Sequence, residues 1–144
     1  MRARILAGAV AVVAFAAGAM AQDVIQQRRD GLKGMARHME AIKAVSDSRG
    51  DPRGLVPQID DMIAFFQRMP PLFPAGSGSG DTRALPAVWS ERAGFEQAAG
   101  NMVTQLQALR TVAASGDAAA LPNAFRQTGA TCGACHRSYR RPAR

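Results

Sequence analysis

Apolar residues recur every three or four positions through most of this chain, the spacing that gives a helix one buried face. In a first segment, from about Asp23 to Ser48, Ile25, Leu32, Met35, Met39 and Ile42 share that face, and Gly50-Asp51-Pro52 ends it. A second segment, from about Leu55 to Met69, carries Leu55, Ile59, Met62, Ile63 and Phe66, with Pro57 in the first turn, where a missing amide hydrogen matters least. Pro70 to Pro86 reads as a loop, because Pro70, Pro71, Pro74, Gly76, Gly78, Gly80 and Pro86 prevent a regular element. A third helix is expected from about Val88 to Ser115, with Trp89, Phe95, Met102, Val103, Leu106 and Leu109 facing inward. After Gly116, Asp117 reads as an N-cap. Pro122 moves the expected start of a fourth helix toward Leu121, and that helix continues through Phe125, Thr128, Cys132, Cys135, His136 and Tyr139 until Pro142 ends it.

No segment alternates with period two, and no internal repeat is evident. The pattern predicts an all-α protein, an antiparallel four-helix bundle in which a cofactor would sit between facing helices. A loop as long as 70–86 is unusual in a compact domain and tends to be functional or a crossover.

The N-terminus changes the domain picture. Arg2 and Arg4 precede a charge-free apolar run from Ile5 to Met20, and Ala19-Met20-Ala21 forms an A-x-A cleavage site. The run is shorter than the roughly 20 residues a membrane span requires. Residues 1–21 are therefore expected to be a cleaved signal peptide and 22–144 the mature domain, exported to a periplasm, with no stable membrane span. Losing Arg2 and Arg4 lowers the formal charge of +7 by two. The remaining basic surface suits acidic partners or anionic lipid heads. Arg137, Arg140, Arg141 and Arg144 lack interleaved aromatics or a reader motif, so nucleic acid is not expected, and the cluster reads mostly as a solvated tail.

The candidate chemistry lies in Cys132-Gly133-Ala134-Cys135-His136, which uses the only two cysteines of the chain. C-x-x-C-H is the attachment signature of c-type haem: two thiols one helical turn apart can each form a thioether to a vinyl group, and the adjacent imidazole can ligate iron. A thioredoxin-like pair would need a βαβ pattern, which is not visible here. Structural zinc would need four ligands, and the one other histidine is His38.

With these residues in view the chain resembles the cytochrome c′ family, on three stretches: the C-terminal haem motif Cys132 to Arg140, the loop and helix start from Gly78 to Phe95, and Gln27 to Leu32 on the first helix. The resemblance implies one covalent haem c per chain, held by Cys132 and Cys135, with His136 as the proximal ligand and Arg140 one turn on near that face. It implies Leu32 at the distal position and Arg28, one turn earlier, near a haem propionate. Arg137 stands where relatives often carry an acidic residue, which bears on surface charge and not on haem binding. Low-spin relatives place a methionine ligand on the first helix. Leu32 has no lone pair to offer, which implies a five-coordinate, high-spin iron that binds small gases such as nitric oxide and carbon monoxide.

Electron transfer to periplasmic redox proteins stays open as a second role. So does a six-coordinate iron ligated by Met35 or Met39, which follow Leu32 along the same face. His38, about 240° around the helix from Leu32, is expected at the surface. No distal histidine or acid is placed to manage protons, so an enzyme is not expected. Relatives pair through their first two helices, which makes a homodimer the expectation and Met39, Ile42, Val56 and Phe65 candidates for its patch.

Overall fold

The computed structural model describes the backbone of residues 5–142 and the side chains of residues 22–142. The expected signal peptide, 1–21, lies outside the residues whose side chains are described. Helix α1 runs Ile5–Ser48, α2 Val56–Arg68, α3 Ala87–Ser90, α4 Arg92–Ser115 and α5 Leu121–Tyr139. Contacts between α1 and α2, α2 and α4, α4 and α5, and α5 and α1 close a ring of four long helices. Among the residues whose side chains are described, no helix is long and apolar enough to cross a membrane.

Local chemistry sets the helix ends. At the end of α1, Gly50 N–H donates to Val45 O and Arg49 N–H to Ser46 O, the paired bonds of a Schellman motif with Arg49 in the left-handed region at φ 53°. Asp51 then accepts from Arg53 N–H and opens a 3-10 turn over Pro52–Leu55 that leads into α2. Gly116, at φ 76°, ends α4. Asp117 Oδ1 accepts from the N–H groups of Ala119 and Ala120, and α5 begins at Leu121 with Pro122 in its first turn.

The core falls into two parts. Ile42, Leu55, Ile59, Met102, Leu106, Leu109 and Leu121 fill one end of the bundle. Phe65, Met69, Phe73, Val88 and Phe95 form an aromatic cluster at the other, where Phe73 and Phe95 pack edge to face at 4.9 Å between ring centroids. Gly31 sits where α1 crosses α2: a Cβ there would lie 2.1 Å from the Phe65 ring, so any larger residue would force the ring or the helix to move.

Three expectations need correction. The third helix is two elements, because Glu91 leaves helical geometry (φ −118°, ψ 45°) between α3 and α4. The loop 70–86 contains a 3-10 turn, Pro70–Leu72. The residues proposed as a dimer patch do not form one: Ile42 and Phe65 are buried in the two core clusters, and Met39 and Val56 are half-buried against the first.

Candidate functional site

Cys132, Cys135 and His136 stand at i, i+3 and i+4 on α5 and so share a face. That face borders a cavity of about 650 Å³ enclosed by all four long helices and the loop 70–86. Each of the six residues named from sequence (Arg28, Leu32, Cys132, Cys135, His136 and Arg140) lines it. Met35 and Met39 line it as well, together with Met62, Met69 and Met102. His38 does not. It is half-buried rather than exposed, with Nε2 4.0 Å from an Asp61 carboxylate oxygen on α2.

The walls divide by chemistry. Leu32, the five methionines and Phe66 make the interior apolar, while Arg28, Arg29, Lys33, Arg83 and Arg140 line it with cationic groups and Asp81 is the lone acid. Burial pushes both thiols up, with the neighbouring Cys132 adding to the effect at Cys135. Burial, and then the charge of Arg83, hold His136 below its usual range. Arg140 Nη1 lies 3.3 Å from His136 Nδ1. A guanidinium only donates, so in this contact Nδ1 accepts and the ring proton sits on Nε2.

Arg28 is neither on a solvated face nor held in reserve for a ligand alone. Its exposure is 2 %, and burial lowers its pKa. Nη1 donates to Ser77 Oγ at 2.8 Å and Leu72 O at 3.2 Å, and Nη2 to Ser77 O at 2.7 Å and Thr82 Oγ1 at 2.8 Å. The guanidinium carbon lies 4.4 Å from the Phe73 ring centroid. Four of five donors thus hold the loop 70–86 against α1, and Nε–H is left for other use. From α4, Arg92 donates to Phe73 O and Pro70 O. Trp89 Nε1 donates to Pro74 O, so the tryptophan packs the loop.

The last part of the loop meets the end of α5. Ala84 and Arg140 form an isolated antiparallel bridge, Leu85 N–H donates to Tyr139 O, and Arg141 N–H donates to Arg83 O. The Arg141 guanidinium donates to Thr82 O. This pairing carries Arg83 to the site, a residue that sequence reasoning missed. The only signal was its place in the stretch from Gly78 to Phe95. Arg140 and Arg141, read as part of a solvated tail, are pinned at the backbone.

The donor set fits a covalent haem. A haem is an apolar plate carrying two carboxylates, and the cavity offers an apolar interior, cationic lining groups, an imidazole and two free thiols one turn apart.

Comparisons with known proteins agree. A family model described as Cytochrome C′ matches residues 23–140. Cytochrome c-554 of Cereibacter sphaeroides is 43% identical over 74 residues, which is 49% of this chain and 48% of that one, so that match spans about half the relative's length. Cytochrome c′ of Rhodopseudomonas palustris is 32% identical over 146 residues, 97% of each chain. Among solved structures, cytochrome c′ from Thermochromatium tepidum superposes with a TM-score of 0.78 at 28% identity, covering 85% of this chain and 97% of that one. The nitric oxide complex of a mutant of cytochrome c prime from Alcaligenes xylosoxidans does so at 0.76 and 26% identity, covering 85% and 97%. The chain belongs to the cytochrome c′ family, whose members are haem proteins and not enzymes.

Proposed function

We propose that this chain is an exported, periplasmic c-type cytochrome whose haem, attached through Cys132 and Cys135 and ligated by His136, binds small diatomic gases. The family is typically periplasmic and carries covalent haem c, and a solved relative is a nitric oxide complex. One observation carries the reading: Leu32, the α1 residue that the family resemblance puts at the distal position and a side chain without a lone pair, lines the same cavity as His136.

Bound haem supplies an iron that takes up nitric oxide or carbon monoxide at an open coordination position. Cys132 and Cys135 fix the plate by two bonds, so its orientation does not depend on iron ligation. His136 offers Nε2 to iron. Ligation then requires the ring proton to sit on Nδ1, where Arg140 can no longer donate to it. That nitrogen faces a cation instead of the carboxylate or carbonyl that strengthens a histidine ligand elsewhere, which favours a weak proximal bond. Leu32 would cover the approach to bound haem from α1, would have to yield for a ligand to enter, and has no hydrogen bond to offer. Dioxygen gains nothing there, whereas nitric oxide binds without a donor.

Replacing Leu32 with alanine tests this. Carbon monoxide affinity should rise by about tenfold, a change of about 1.4 kcal/mol. Unchanged affinity would remove Leu32 from the distal face.

A second reading rests on Met35 and Met39, which also line the cavity. Either could supply a thioether ligand and make a six-coordinate electron carrier. Methionine is more often an apolar filler of irregular gaps, and all five described methionines line this one cavity, which fits packing better than ligation by a chosen residue.

A further inference from the structure

The cations of this protein are unevenly neutralised. Arg29 pairs with Asp81, Lys33 with Asp30, Lys43 with Asp47, Arg53 with Asp51, Arg92 with Glu96 and Arg110 with Asp60. Arg83, Arg140 and Arg141, like Arg126 and Arg137, have no carboxylate partner among the described residues, but these three the backbone also brings together. The Ala84–Arg140 bridge and the Arg141 N–H to Arg83 O bond bring the loop and the end of α5 side by side. All three residues are exposed, as is the neighbouring Arg137.

Gathering like charges costs energy, and a fold that does so at an exposed edge keeps a field there for something negative. Haem propionates offset part of this field. They do not remove it, because five cations against Asp81 line the cavity, and Arg137 and Arg141 lie beyond that lining. His136, which would carry iron, stands one turn before Arg140 at this same edge, which shortens any path for an electron between the haem and a docked molecule.

We propose that Arg83, Arg140 and Arg141, with Arg137 beside them, form the docking face for an electron-transfer protein with an acidic surface. The proposal rests on the reading of a haem held by Cys132, Cys135 and His136. In the step it serves, one electron leaves the reduced partner, which is oxidised by one equivalent, and ferric iron becomes ferrous. No proton or group is transferred. An acidic protein is favoured over an anionic membrane because the arginines gather at one edge of the cavity that His136 lines instead of lying along an amphipathic helix face.

The test uses the haem-loaded protein in its ferric state and reduced flavodoxin, an acidic redox protein, as the probe, followed by stopped-flow absorbance. Between about 10 mM and about 1 M salt the screening length falls from about 30 Å to about 3 Å. The reduction rate should fall by at least about tenfold across that range. At low salt, Arg83→Glu and Arg141→Glu should each slow reduction several-fold. Arg126→Glu, ten residues before His136 on α5 and roughly 15 Å along the helix, should change it less than about twofold. Arg141→Glu should keep the wild-type haem content and carbon monoxide difference spectrum.

A salt-independent rate, or equal slowing by Arg126→Glu and Arg141→Glu, would overturn the docking face while leaving the haem reading intact. Arg141-dependent binding to phosphatidylserine vesicles with a salt-independent flavodoxin rate would overturn it in favour of a membrane. Protein purified without covalent haem would instead overturn the reading on which the proposal stands.

Discussion

A guanidinium with 2 % of its surface exposed must find partners for its N–H groups, and Arg28 finds four, all on the loop 70–86. Its place on a charged stretch of α1, beside Gln26, Arg29 and Lys33, gives no hint of this, because the acceptors lie 44 or more positions away. Lysine at this position has the charge without the planar fork, and would leave some of these acceptors unpaired. Arg28→Lys should therefore lower stability by about 2–3 kcal/mol, read as a shift in the denaturation midpoint of the haem-loaded protein. Loss of less than about 0.5 kcal/mol would show that the loop is held by Arg92 and Trp89 instead. Leu32 is the converse case: its proposed effect on gas binding follows from the bulk a ligand must displace, and the alanine variant reads that directly.

Elements hold the site through close approach and through ties between helices. Gly31 lets α1 reach α2 at Phe65, and Gly31→Ala would place a methyl inside that ring's contact distance. Either the ring or the helix must shift, at a cost of about 1–3 kcal/mol. Because Phe65 belongs to the aromatic cluster beside the cavity, the Soret band should shift along with the melting temperature; a melting temperature within error of wild type would deny the crossing.

Arg110 on α4 bonds both carboxylate oxygens of Asp60 on α2, at 2.6 and 3.2 Å. That hydrogen bond and charge hold the Asp60 carboxyl below its usual value of 3.8. A lowered folded-state pKa adds stability that is present above the unfolded value and drains as pH falls through the folded one. Urea midpoints measured from about pH 5 down to about pH 2 should thus fall less in Asp60→Asn than in wild type. Parallel curves would show that the pair contributes nothing.

The four long helices were legible because their apolar positions repeat with the helical period, and their ends because Asp51, Gly116 and Asp117 have definite capping chemistry. The break at Glu91 was not legible, since neither glycine nor proline marks it. The chain turns there while Arg92 is tied to the carbonyls of Pro70 and Phe73. The Ala84–Arg140 bridge was hidden for a similar reason: a single paired residue on each side has no period to read. Arg83 went unnoticed with it.

At the scale of the whole molecule, the proposed haem site separates attachment, covering and access. Helix α5 carries the thiols and the imidazole, α1 brings Leu32 across the cavity from a different wall, and the loop clasped by Arg28 and Arg92 closes the edge. The motif on α5 was readable as chemistry from spacing alone. What the iron would do was not, since it depends on which α1 side chain faces it, and Met35 and Met39 lie on the same face as Leu32. The proposed function turns on a five-coordinate iron beneath Leu32. Resonance Raman and absorption spectra of the purified haem-loaded protein, ferric and ferrous, decide it. High-spin, five-coordinate markers are expected in the ferrous state; a low-spin ferric spectrum with a methionine–iron charge-transfer band would put a methionine on the iron and remove the gas site.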